Sequence, residues 1–195
     1  RRLRAPLEVI RAVRDAVGPS FPILVKTNLS DGFPGGLQLE ESIAIHRALQ
    51  DEGVDAAVLS GGDVSRTPFF LLRGKTPAGE MARLEPRLLQ KLAIRLFAPL
   101  VLREWPFTEL FFRPDALRIR AAVSMPLVLL GGVVTAANVA TAMHDGFELV
   151  ALGRALLADP DFVVRMEQGE DVRSRCTHCN LCVAAMNTGG VRCHL

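Results

Sequence analysis

The chain has 195 residues, 49% hydrophobic and 23% charged, with a formal net charge of +2. That length favours one domain with a sizeable core, and so small a charge gives no argument for a nucleic-acid partner. The longest apolar runs, such as Met125 to Leu130, fall far short of the ~20 residues a membrane span requires. Charged residues open the sequence and no apolar run follows them, so no signal peptide is expected and the protein is read as cytoplasmic. Arg1, Arg2, Arg4, Arg11 and Arg14 are expected to form a solvated helix face rather than a basic patch. The four cysteines, Cys176, Cys179, Cys182 and Cys193, all fall near the end. In a reducing compartment this points to metal rather than disulfides.

Leu7, Ile10, Val13 and Val17 recur at helical spacing, and Gly18-Pro19 stops that helix. Phe21 to Lys26 is a strand candidate ending in polar Lys26-Thr27-Asn28. After a glycine-rich loop, a helix is expected over Leu39 to Glu52 and a strand over Val54 to Ser60. The order α-β-α-β implies a parallel sheet. Residues 63–113 are too long for an ordinary βα loop and are read as an insertion. Within it, Leu88 to Leu102 has helical periodicity with Lys91 and Arg95 outside, and Trp105-Pro106-Phe107 with Phe111-Phe112 forms an aromatic knot. The knot packs on a rim, walls a substrate pocket, or does both. Helix returns at Pro114 to Val123, strand at Met125 to Leu130, and helix again at Thr135 to His144 with Thr135 as N-cap. Strand Leu149 to Leu152 and a short helix from Ala155 follow, then a cysteine-rich tail at 173–195.

Two stretches organise the rest: Leu127 to Val133, and its echo Leu149 to Arg154. Each is a short apolar run that stops at glycine, as a parallel strand buried on both faces does. At such an end a backbone N–H can approach a phosphate, because no Cβ stands in the way. The loops after strands 7 and 8 are the usual phosphate site of a TIM barrel. Four βα units are countable (21–26, 54–60, 125–130 and 149–152), whereas a barrel closes with about eight. Half of a larger barrel, over 1–172, is a simpler account than an open four-stranded sheet.

These residues resemble the carboxyl-terminal half of the old yellow enzyme family, the NADH:flavin oxidoreductases. The similar segments are Pro6 to Gly18, Phe21 to Lys26, Glu52 to Asp55, Met125 to Val133 and Gly146 to Pro160. The resemblance implies the second half of an α/β TIM (β/α)8 barrel that binds FMN at its mouth. It implies that NAD(P)H reduces the flavin and that an activated alkene or similar acceptor oxidises it. Gly131, Gly132, Gly153 and Arg154 should hold the FMN phosphate, with Lys26 beside the flavin N1–O2 edge. Burying an unpaired lysine is costly and requires such a reason. The family's paired His/Asn and its proton-donating tyrosine lie in the first half; the chain contains no tyrosine, and no catalytic residue is assigned. His46 and His144 are expected to be surface or packed histidines.

The tail reads C-x2-C-x2-C-x10-C through Cys176, Cys179, Cys182 and Cys193, a spacing at which thiolates can converge on one metal or cluster. It resembles the iron–sulfur segment of the 2,4-dienoyl-CoA reductase and trimethylamine dehydrogenase branch. A four-iron cluster, a structural zinc helped by His178 or His194, and unligated cysteines all stay open. Two other functions compete: a non-catalytic remnant or FMN-binding subunit, and a phosphate-binding barrel enzyme without redox chemistry. The expected partner is a missing amino-terminal half-barrel or a second copy of the chain, since an open half-barrel leaves an apolar edge.

Overall fold

The computed structural model describes residues 3–186 and 190–194. Helix α1 (Arg4–Val17) leads into β1 (Leu24–Asn28), α2 (Leu39–Asp51) and β2 (Ala56–Ser60). The arginines of α1 serve its docking. Arg11 makes a two-pronged contact with Glu52, and Arg14 spans the carbonyls of Phe21 and Gly53 and the carboxylate of Asp55. Arg4 pairs with Glu8 one turn away. Arg4 and Arg11 are exposed, as expected of a solvated face, whereas Arg14 is half-buried in its contacts; Arg1 and Arg2 lie outside the described residues.

The insertion is not one long loop. It carries α3 (Ala78–Leu84) and α4 (Leu88–Val101), packed as a pair. Then come α5 (Arg113–Arg120), β3 (Leu127–Leu130), α6 (Ala136–His144), β4 (Leu149–Ala151), α7 (Arg154–Ala158), α8 (Phe162–Glu167) and α9 (Leu181–Ala184). Thr135 caps α6 in a reciprocal box with Asn138: its hydroxyl accepts from the Asn138 amide at 3.0 Å, while Asn138 Oδ1 accepts from the Thr135 amide at 3.2 Å.

The four strands form one parallel sheet in the order β1-β2-β3-β4. In register, Lys26 lies beside Val58, Val58 beside Val128, and Leu130 beside Ala151. Each strand therefore neighbours the next in sequence, with helical connections between, an arrangement compatible with half of a (β/α)8 barrel. The central strands are the buried ones: Ala57, Leu59, Leu127 and Leu129 are wholly buried. The two edges are not, since Leu24 and Leu149 keep about half their surface in water.

The core fills with Leu49, Phe112, Ile119 and Phe147. A second, smaller cluster joins Ala155, Phe162 and Val172. It fastens the tail, helped by the Ser174 amide donating to the Val134 carbonyl at 2.7 Å. Among the described residues, no helix is long and apolar enough to cross a membrane.

Candidate active site

The carboxyl ends of β1, β3 and β4 meet at one cavity of about 360 Å3. Its wall contains all five residues singled out in the sequence as cofactor ligands: Lys26, Gly131, Gly132, Gly153 and Arg154. Parallel register causes this, because every strand delivers its last residues to the same edge. Phe107 and Phe111 close one side, so part of the aromatic knot is a cavity wall. The rest of the knot is core: Phe70 meets Trp105 edge-on at 4.7 Å and Phe112 at 5.7 Å.

The glycines differ in what they do. Gly131 and Gly132 have φ of +106° and +78°. A Cβ on Gly132 would lie 2.7 Å from the Leu110 nitrogen and the Thr108 oxygen; one on Gly131 would strike Phe111 and Phe112 at 2.8 Å. These two are glycine because the aromatic segment presses on the strand end, where the Leu110 amide donates to the Gly132 carbonyl at 3.0 Å. Gly153 is the reverse: a Cβ there would meet nothing within 4 Å. Its missing side chain keeps the cavity open.

Arg154 starts α7 and is half-buried behind that opening. Its Nη1 donates to Asn180 Oδ1 at 2.5 Å and to the Arg73 carbonyl at 3.2 Å. It has no carboxylate partner among the described residues. Burial pushes its guanidinium below the ordinary arginine value, while Cys176, Cys182 and Cys179 work the other way. Since arginine keeps its proton, the result is a desolvated cation lacking an anion, which favours an anionic ligand. Lys26 sits differently from the expectation: it is exposed on the cavity wall, not buried. Strand β1 is an edge strand here and Lys26 is exposed on it, so the cost of burial offers no argument for its role.

Two contributors, Arg73 and Asn180, escaped the sequence reading, and a third, His178, was weighed there only as a zinc ligand. Arg73 lies with its guanidinium 4.3 Å from the Phe111 ring, and its carbonyl receives Arg154. Asn180, almost wholly buried in left-handed backbone, buckles the tail to the insertion: its Nδ2 donates to the Lys75 carbonyl at 2.9 Å. His178 lines the cavity and stacks on Phe107 at 3.4 Å. Burial and then Arg154 hold it down to about 4, so it is neutral near pH 7. Position within the cysteine motif was the one available signal for the last two.

Cys176, Cys179, Cys182 and Cys193 share a second, small cavity with Arg154 and His194. All four are free and partly buried. Burial, above all, raises the Cys182 thiol. The space between them is about 20 Å3, enough for one water and not for a four-iron cluster. Among the described residues no three His, Cys, Asp or Glu side chains are grouped to hold a metal ion. The set gathers around Arg154, but as arranged it does not fit a metal or cluster. His46 is packed inside α2, with its Nδ1 2.7 Å from the Ser42 carbonyl, and His144 is exposed at the end of α6.

No protein-family model matches the chain. It is 38% identical over 194 residues to a 4,4'-dithiodibutanoate disulfide reductase of Rhodococcus erythropolis, covering 99% of this chain and 48% of that protein. It is 27% identical over 182 residues to an NADH oxidase of Thermoanaerobacter brockii, covering 93% of this chain and 23% of that one. A shorter stretch of 59 residues is 32% identical to a probable NADH-dependent flavin oxidoreductase of Bacillus subtilis, 30% of this chain and 16% of that protein. The chain thus spans about half the length of the first relative and about a quarter of the second. It is a homologue of redox enzymes, and the likeness supports kinship with the NADH:flavin oxidoreductases.

Proposed function

We propose that the chain is the carboxyl-terminal half of a TIM-barrel, FMN-dependent oxidoreductase of the old yellow enzyme type. It would pass hydride from NAD(P)H through FMN to an acceptor. The observation that carries this reading is the single cavity wall shared by Lys26, Gly131, Gly132, Gly153 and Arg154, with Arg154 lacking a carboxylate. A phosphate fits that wall: Gly153 leaves it open, and a guanidinium pairs with phosphate through two parallel hydrogen bonds. When bound, the flavin supplies the hydride chemistry. The chain's own residues bind and shape. Arg154 neutralises the phosphate, and Asn180 and the Arg73 carbonyl fix its orientation. Lys26 presents a positive charge to the same cavity, of the kind that stabilises an anionic reduced ring. Phe107 and Phe111 exclude water from one side.

The acceptor class is an activated alkene by family resemblance. Likeness to the Rhodococcus protein adds the disulfide bond, whose reduction takes two electrons and two protons and yields two thiols. The remaining strands of the site would come from an amino-terminal half-barrel.

The test is a titration of the purified chain with FMN and, separately, riboflavin, followed by flavin fluorescence. FMN is expected to bind saturably, and Arg154→Gln to weaken it about 10- to 100-fold, the scale of one charge-assisted contact. Riboflavin, without the phosphate, is expected to bind both proteins alike. FMN binding equally well to Arg154→Gln, or not at all, would overturn the assignment.

A further inference from the structure

We propose that Cys176 and Cys182 form a redox pair that exchanges with low-molecular-weight disulfides and closes to an intrachain disulfide, locking Asn180 against Arg154. The pair itself is independent of the flavin reading; its effect on FMN rests on that reading.

The run Cys176-Thr177-His178-Cys179-Asn180-Leu181-Cys182 is two C-x-x-C steps in succession, a spacing used for redox thiols as well as for metals. As arranged, the set does not fit a metal or cluster, yet four free thiols meet at one small cavity. Backbone geometry brings them there. His178 and Asn180 both take left-handed backbone, with φ of +57° and +58°, so the segment turns twice between Cys176 and Cys182. The insertion holds that shape. The Lys75 amide donates to the His178 carbonyl at 3.1 Å, and a Cβ on Gly74 would lie 2.2 Å from that same oxygen. Asn180 ties the middle of the segment to the Lys75 carbonyl and to Arg154.

Charge picks the pair. After burial, Cys176 and then Cys182 act most strongly on the Arg154 guanidinium. Behind burial and Arg154, Cys176 acts on the Cys182 thiol ahead of Cys179. A cation beside a thiol favours the thiolate, the form that attacks a disulfide. Cys176 is therefore the attacking sulfur: it bonds to one sulfur of the small disulfide and releases the other as a thiol. Cys182 then attacks the Cys176 sulfur and releases the second thiol. The pair loses two electrons, the small disulfide gains them, and the two protons of the pair end on the released thiols. All four cysteines are partly exposed, so the bond stays within reach of thiol reductants. Closing the ring takes freedom from the residues it encloses, Asn180 among them, and so preorganises Arg154 for an anion.

The test starts from the reduced chain freed of reductant. Glutathione disulfide should consume two of the four thiols and leave no glutathione attached, and dithiothreitol should restore them. Cys182→Ser should instead retain one glutathione, on Cys176. Cys179→Ser and Cys193→Ser should close the disulfide as the parent chain does, with circular dichroism showing each variant folded. FMN should bind the oxidised chain several-fold more tightly than the reduced one. Four unreacted thiols, closure in Cys182→Ser, loss of closure in Cys179→Ser, or one iron cluster or zinc per isolated chain would each overturn the pair. Equal FMN affinity in the two states would overturn the lock. Consumed thiols with no FMN bound in either state would sink the flavin reading and leave the pair standing.

Discussion

The end of β3 and helix α4 are built from equally apolar sequence and use it in opposite ways. Leu127, Val128 and Leu129 sit between two layers and lose nearly all contact with water. The leucines of α4 stand on an arm whose close helical neighbour is α3, and they face outward. Apolar character commits a segment to a partner but does not name it. Strand β3 finds its partners within the chain because β2 and β4 flank it and α5 packs against it. Helix α4, in the insertion, has a layer on one side alone.

This contrast can be broken by mutation. The largest effect is expected from Leu129→Ala, which leaves a cavity between two layers and should cost about 2–5 kcal/mol in urea denaturation. Leu100→Ala on α4, where the side chain is 82% exposed, should change stability by no more than about 0.5 kcal/mol. A comparable loss at both positions would show that α4 is packed within the monomer.

A second contrast lies within the site. Gly132→Ala combines positive φ with contact against the Leu110 and Thr108 backbone, and should cost about 2–3 kcal/mol. Gly153→Ala meets no atom and should leave stability within about 0.5 kcal/mol while weakening FMN binding. If Gly153→Ala destabilised the fold and spared binding, that glycine would be scaffold and not site.

A smaller effect should appear as a pH slope. His46 is buried, and burial holds it below its ordinary 6.5, with the Ser42 carbonyl working weakly the other way. As pH falls through about 6.5, the unfolded chain takes up a proton that the folded chain refuses. Stability is therefore complete above that pH and declines below it, by up to about 1.4 kcal/mol per pH unit. Replacing His46 with Met should flatten the slope between pH 6.5 and 5 in denaturant titrations; an unchanged slope would assign the acid sensitivity to another group.

Much of this was legible because it is local. The expected strands each lie within two or three residues of β1 to β4; β2, β3 and β4 write themselves as apolar runs that stop at or just before glycine, and β1 as one that stops at polar Lys26-Thr27-Asn28. Thr135 was legible as a cap because its box closes over three residues. Helix α4 was legible in position, expected over Leu88 to Leu102 and found at Leu88–Val101, but the exposure of its leucines was not, and α3 went unread. Arg73 and Asn180 carried no signal of their partnership, for they lie more than 100 residues apart and meet through a carbonyl. The cysteines announced a group by spacing, but spacing sets a reach and not a geometry.

By itself, then, the sequence determined the order of elements, the parallel sheet and the identity of the glycines and cation at its carboxyl edge, because each follows from periodicity and chain stops within a few residues. Tertiary structure alone decided which glycine is scaffold and which is opening, why Lys26 is exposed, how Arg154 is oriented without a carboxylate, and which way the α4 leucines face. Those outcomes depend on what lies across a layer, and a linear pattern is silent on the far side of a layer.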